Sequence, residues 1–147
     1  MTYLGLDIGS KTIGIAKSDS GIIAYPHLTL RFQEENYDEA YNKLKALITL
    51  EKADLIVIGL PKHMNNDIGI RGEISQKFYD KLKTDNIEAV LWDERLSTKL
   101  ALKTMIEADL SRKKQKAKKD ELAATLILQN YLDYKELKKW KKITKWS

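Results

Sequence analysis

TYLGLDIGSKTIGIAKS, residues 2–18, sets the architecture of this chain. Two β-rich runs, 2–8 and 12–18, flank Gly9-Ser10-Lys11, and a third, 21–30 (GIIAYPHLTL), follows at once. This spacing predicts a three-stranded antiparallel meander. In the pleat of the first strand, Asp7 shares a side with Tyr3 and Gly5, opposite Leu4, Leu6 and Ile8. Asp7 therefore leaves the sheet among small or polar neighbours, beside a glycine turn.

Beyond the meander, residues 36–52 switch to helical spacing, with Ala40, Leu44, Leu47 and Ile48 on one face and Asn36 followed by Glu39 as a capping signal. Residues 55–60, LIVIGL, are apolar without alternation, as expected of a central strand covered on both faces. After a loop from Pro61 to Gly69, Ile70, Ile74, Phe78 and Leu82 recur every four residues and mark a second helix. Residues 87–92 give another strand, and 98–108 and about 117–137 two more helices. A meander followed by alternating helices and strands describes an α/β domain: a mixed five-stranded sheet, three antiparallel strands plus parallel ones, flanked by helices. Residues 1–133 are read as this domain and 134–147 as a basic tail.

The 147 residues suffice for one compact domain with a continuous core. There is no cysteine, no secretory signal and no apolar run long enough to cross a bilayer, which predicts a cytoplasmic protein without disulfides or thiolate metal sites. The formal charge of +5 is segregated. Residues 134–147 carry six lysines against one glutamate, and Arg112, Lys113, Lys114, Lys116, Lys118 and Lys119 form a second cluster. Clustered cations attract a phosphate backbone through counterion release, although such runs also serve as solvated helix faces.

The acids stand at the ends of elements. Asp7 lies near the end of the first strand, and Asp93 and Glu94 directly follow the apolar run ending at Trp92. In open sheets, ligands bind beyond the carboxyl ends of parallel strands. Asp120 has Ala123, Ala124, Ile127 and Tyr131 at spacings of three, four, seven and eleven, so it belongs to the packed face of its helix. A charge there is costly unless it is paired or bound to a cation, and a helix N-terminus favours an anion. Three such acids can hold one or two hard cations, Mg2+ or Mn2+, through oxygen. A pair of these ions suits phosphoryl transfer, activating a water and stabilising the leaving oxygen. Any one aspartate taken alone is better explained by a strand-end turn or a helix cap, and it is the joint pattern that points to a site.

Four segments occur in order: LGLDIGSKTIGIA (4–16), GLPK (59–62), DERLST (93–98) and DELAA (120–124). Together they resemble the YqgF (RuvX) family over about residues 2–133. The resemblance implies a ribonuclease-H-like fold and a nuclease activity, on the 5′ end of pre-16S ribosomal RNA or on branched DNA of the Holliday junction kind. It also implies that Asp7, Glu94 and Asp120 are the catalytic metal ligands, with Asp93 as a supporting acid. Glu94 is preferred over Asp93 because its longer side chain can reach back over a strand end and alternation directs only one of the pair to the site. Arg71 matches an arginine opening the second helix. The sequence departs from the family at Asn66 and Ile70, where glycine and often proline are usual; this touches loop geometry and not the carboxylates.

Lys11, Arg71, Arg95 and the cluster Arg112, Lys113, Lys114, Lys116, Lys118 and Lys119 are the candidate nucleic-acid contacts. Ser97 and Thr98 read as helix caps, and His63 as an uninvolved loop residue. Trp140 and Trp146, interleaved with lysine, fit either base stacking or anchoring of the tail on the body. Monomer and homodimer both remain open. Two other readings compete: an ATP-dependent kinase of the actin and hexokinase kind, for which the chain lacks a second phosphate-gripping turn, and a catalytically silent RNA-binding assembly factor.

Overall fold

The computed structural model describes residues 1–61, 69–93 and 119–144. The loop with His63 and Asn66, Glu94, Arg95, Ser97, Thr98, the helix expected over 98–108, the basic residues 112–118 and Trp146 lie outside the described residues. So do the side chains of Ile70 and of residues 140–144, Trp140 included.

Five strands form one sheet: β1 (Tyr3–Ile8), β2 (Thr12–Ser18), β3 (Tyr25–Arg31), β4 (Leu55–Leu60) and β5 (Ala89–Asp93), in the order β3-β2-β1-β4-β5. The meander pairs antiparallel, while β1–β4 and β4–β5 are parallel. This is the mixed sheet expected from the sequence. The third strand starts later than the apolar run 21–30 suggested. Gly21 has a φ of +78°, Ser18 Oγ accepts from its amide, and Ser20 Oγ accepts from the amides of Ile22 and Ile23. The carboxamide of Gln129 takes the Ala24 amide and the Ile22 carbonyl at 2.8 Å each. Side chains thus hold the polar backbone groups that a ladder would otherwise use.

Alternation divides the sheet between two cores. Leu4, Leu6, Ile8, Ile13, Ile15, Ile56 and Ile58 face α1 (Tyr37–Glu51) and α2 (Gly69–Thr84), where Tyr41, Leu44, Ile48, Phe78 and Leu82 complete the cluster. Asn36 caps α1 by accepting from the Glu39 amide. At the other end of α1, Glu51 binds Lys17 at 2.7 Å and His27 at 2.6 Å, fixing the helix to β2 and β3. On the opposite face, Tyr3, Ala16 and Val57 meet Ala124, Ile127, Leu128 and Leu132 of α3 (Lys119–Thr144). Burial of β4 on both faces follows from this layering, and Ile56, Val57 and Ile58 are fully enclosed.

α3 lies unusually close to the sheet. A Cβ built on Gly5 would stand 2.7 Å from Leu128 Cβ and 2.9 Å from the Ala124 carbonyl oxygen. The helix is longer than the sequence spacing indicated, running unbroken to Thr144 through much of the basic tail. Tyr134 stacks on Trp92, with ring centroids 5.2 Å apart. Gly5→Ala should cost about 1–3 kcal/mol in urea unfolding by forcing α3 off the sheet, whereas Ala46→Gly, at an exposed position of α1, should cost no more than about 1 kcal/mol.

Candidate active site

The N-terminus of α3 comes down on the carboxyl ends of the parallel strands. Asp7 pairs with Gly14 across the β1–β2 hairpin. A Cβ on Gly14 would fall 2.1 Å from the carbonyl oxygen of Asp120 and 2.8 Å from its Cβ, so only glycine admits this helix turn beside Asp7. Thr12, two residues earlier on the same face of β2, donates its hydroxyl to Asp120 Oδ2 at 2.6 Å. Thr29 of β3, opposite Gly14 in register, donates to the carboxylate of Glu121. Two hydroxyls from neighbouring strands therefore hold the first turn of α3. Asp120 is half-buried, as its helical spacing predicted.

The field at Asp7 reports what surrounds it. Its pKa is pushed up to about 6, chiefly by burial and then by the negative charge of Asp120, while Arg71 in the first turn of α2 pulls it down. Asp7, Asp120 and Arg71, from three distant parts of the chain, thus share one electrostatic neighbourhood. Two half-buried carboxylates with unfavourable mutual charge suit a hard divalent cation, which replaces the proton and relieves both desolvation and repulsion. Among the described residues no group of three or more potential ligands is arranged to hold a metal ion, and Glu94, the expected third acid, is not one of the described residues.

Asp93 ends β5 opposite Leu60 of β4. Strand alternation places it with Leu91, on the α1 and α2 side, whereas Asp7 and Asp120 lie on the α3 side. Arg71, Lys11 and Lys119 are exposed. Lys11 and Lys119 adjoin Thr12 and Asp120 in sequence and so stand at the rim of the carboxylate pair. The sequence reading missed Thr12 and Gly14 as site residues. Their signal was present as the small stripe Thr12, Gly14, Ala16, which alternates with Ile13 and Ile15 and marks a face where something packs closely.

The fold superposes on RuvC of Thermus thermophilus in complex with Holliday junction substrate, with a TM-score of 0.69 at 10% sequence identity over 93% of this chain and 96% of that one. A second T. thermophilus RuvC structure gives 0.66, again at 10% identity over 93% of this chain and 96% of that one. The architecture is therefore that of the ribonuclease-H-like class. A family profile described as "RuvX: Holliday junction resolvase" matches residues 1–134. A Staphylococcus carnosus protein named "Putative pre-16S rRNA nuclease" is 50% identical over 133 residues, covering 88% of this chain and 94% of its own. A protein of the same name from onion yellows phytoplasma is 47% identical over 136 residues, covering 91% and 90%. This chain belongs to the RuvX (YqgF) family, and with it to the hydrolases that cleave phosphodiester bonds.

Because the folded-state value of Asp7 lies above that of an unfolded aspartate, the native protein holds an extra proton between about pH 4 and 6 and loses stability as pH rises through that window. Above about pH 6 the buried charge costs on the order of 2–3 kcal/mol. In metal-free buffer, Asp7→Asn should melt above wild type at pH 8 and lose that advantage below about pH 4. Added Mg2+ or Mn2+ should raise the melting temperature of wild type more at pH 8 than at pH 5, and that of Asp7→Asn little at either pH.

Proposed function

We propose that this protein is a divalent-metal-dependent endonuclease that processes the 5′ end of pre-16S ribosomal RNA in the cytoplasm, with Asp7, Glu94 and Asp120 as its metal ligands. The observation that carries this reading is the Asp7–Asp120 pair, gathered at the sheet end by the approach of α3 to Gly14 and raised in proton affinity at Asp7. The placement of Asp93 on the far side of the sheet supports Glu94, its neighbour in sequence, as the third acid. The substrate follows the names of relatives that align over nearly their whole length.

Bound Mg2+ or Mn2+ would supply Lewis acidity for the attacking water and the leaving oxygen. The chain itself supplies the geometry. Thr12 fixes one oxygen of Asp120, and the N-terminal end of α3 favours the ionised form. Arg71 adds positive charge for the scissile phosphate, with Lys11 and Lys119 at the rim and Arg95, Arg112, Lys113, Lys114, Lys116 and Lys118 as further backbone contacts. Asp93 acts in support, holding the strand end from which Glu94 departs.

A second reading, cleavage of four-way DNA junctions, is favoured by the family's description and by the likeness to RuvC in complex with its junction. The two are separated by incubating purified protein with Mg2+ or Mn2+ and either a pre-16S 5′ leader RNA or a four-way junction. Specific leader cleavage, abolished in Asp7→Asn, Glu94→Gln and Asp120→Asn, is the expected result. Junction cleavage alone would move the substrate to DNA, and retained metal binding without cleavage of either would leave an assembly factor.

Thr12→Val should reduce metal affinity or turnover about 10–100-fold, as loss of a ligand's supporting hydrogen bond typically does, and Thr12→Ser should restore most of it. Cleavage by wild type should rise with pH, with a midpoint at or below about 6 as the ion displaces the proton of Asp7.

A further inference from the structure

α3 overhangs the sheet it packs on. Its 26 residues span about 39 Å, against about 20 Å for the six residues of β1. Along its sheet-facing stripe, Ala124, Leu128 and Tyr131 are followed at the same helical spacing by Lys135 and Lys138. Lys135 marks the edge of the body: its ammonium lies 4.8 Å from the centre of the Tyr3 ring and donates to the Tyr3 hydroxyl. Past it, Lys138 lies 6.0 Å from the centre of the Tyr134 ring, and Lys138 and Lys139 are both exposed.

Through Lys139 the stripe turns from apolar to basic near where the sheet ends, so past Lys135 the overhang presents charge in place of a further core face. It carries most of the positive charge of residues 134–147, six lysines against one glutamate, and it begins where the family profile stops at residue 134. It is also continuous with the catalytic end, because one helix holds Asp120 at its start and these lysines at its finish. At 1.5 Å per residue, residues 135–144 lie about 22–36 Å along the axis from Asp120.

We propose that the overhang of α3 is a nucleic-acid-binding arm, engaging the phosphate backbone of an RNA duplex about one helical turn or more from the cleavage site. This rests on the nuclease reading for its purpose, but binding tests it without turnover. The arm adds electrostatic footprint with no base readout, and the rigid helix sets its distance from the scissile bond.

The experiment follows anisotropy of an RNA duplex of about 24 base pairs, titrated with metal-free protein across a range of KCl concentrations. Wild type is compared with the quadruple variant Lys138→Gln, Lys139→Gln, Lys141→Gln, Lys142→Gln. A control variant of equal charge change, Lys43→Gln, Lys45→Gln, Lys77→Gln, Lys83→Gln, alters exposed lysines on α1 and α2. The arm variant should flatten the slope of log K against log salt by about 3, as four lost phosphate contacts would, and weaken binding at least about tenfold at low salt. The control should change the slope by less than about 1. Equal effects of both variants, or none in the arm variant, would overturn the proposal. Arm-dependent binding to phosphatidylglycerol vesicles with an unchanged RNA slope would also overturn it, in favour of a membrane surface. Failure to cleave any substrate would count against the nuclease reading and leave the binding result standing.

Discussion

The contact between Gly14 and the first turn of α3 governs the site. With no side chain on Gly14, the backbone of Asp120 descends onto β2 directly beside Asp7, and hydroxyls from Thr12 and Thr29 hold the turn there. A methyl group at that point would separate two acids that are 113 positions apart in sequence. The layering of the molecule serves this contact: a small-residue face toward α3, Gly5 and Ala16 included, and a large aliphatic face toward α1 and α2.

The two faces divide the work energetically. The α1 and α2 side buries Leu4, Leu6, Ile13, Ile15, Ile56 and Ile58 against Leu44 and Leu82, all essentially inaccessible, and this apolar burial supplies most of the driving force for folding. The α3 side gives up side-chain volume for proximity. It also carries the unfavourable charge arrangement of the fold, a half-buried Asp7 in the field of Asp120. A charge repulsion of this kind is relieved when a cation binds, because binding to the native state alone adds to its stability.

Placement at one end of the sheet leaves the other end free for a different task. The cations near the Asp7 and Asp120 carboxylates, Arg71, Lys11 and Lys119, are few, whereas the lysines of the α3 overhang are many and remote from that pair. One helix joins both regions, so their separation is set by its rise per residue and not by a flexible linker.

Much of this was legible in the sequence, because strand alternation and helical spacing are local geometry. They put Asp7 on the side of Tyr3 and Gly5, Asp120 among Ala124, Ile127 and Tyr131, and the unalternating run 55–60 at the centre of the sheet. Other features depended on partners distant in the chain. The start of β3 at Tyr25 is fixed by Gln129, more than a hundred residues away, which holds the preceding backbone out of the ladder. Tyr3 and Trp92 receive Lys135 and Tyr134, so α3 packs on the body to that point and its continuation to Thr144 carries it past the sheet. The sequence by itself determined which side chains share a face, since the pleat and the helix repeat are properties of the backbone. Only tertiary structure decided which faces meet, and how closely, because the approach of Asp120 to Asp7 depends on the space left empty at Gly14.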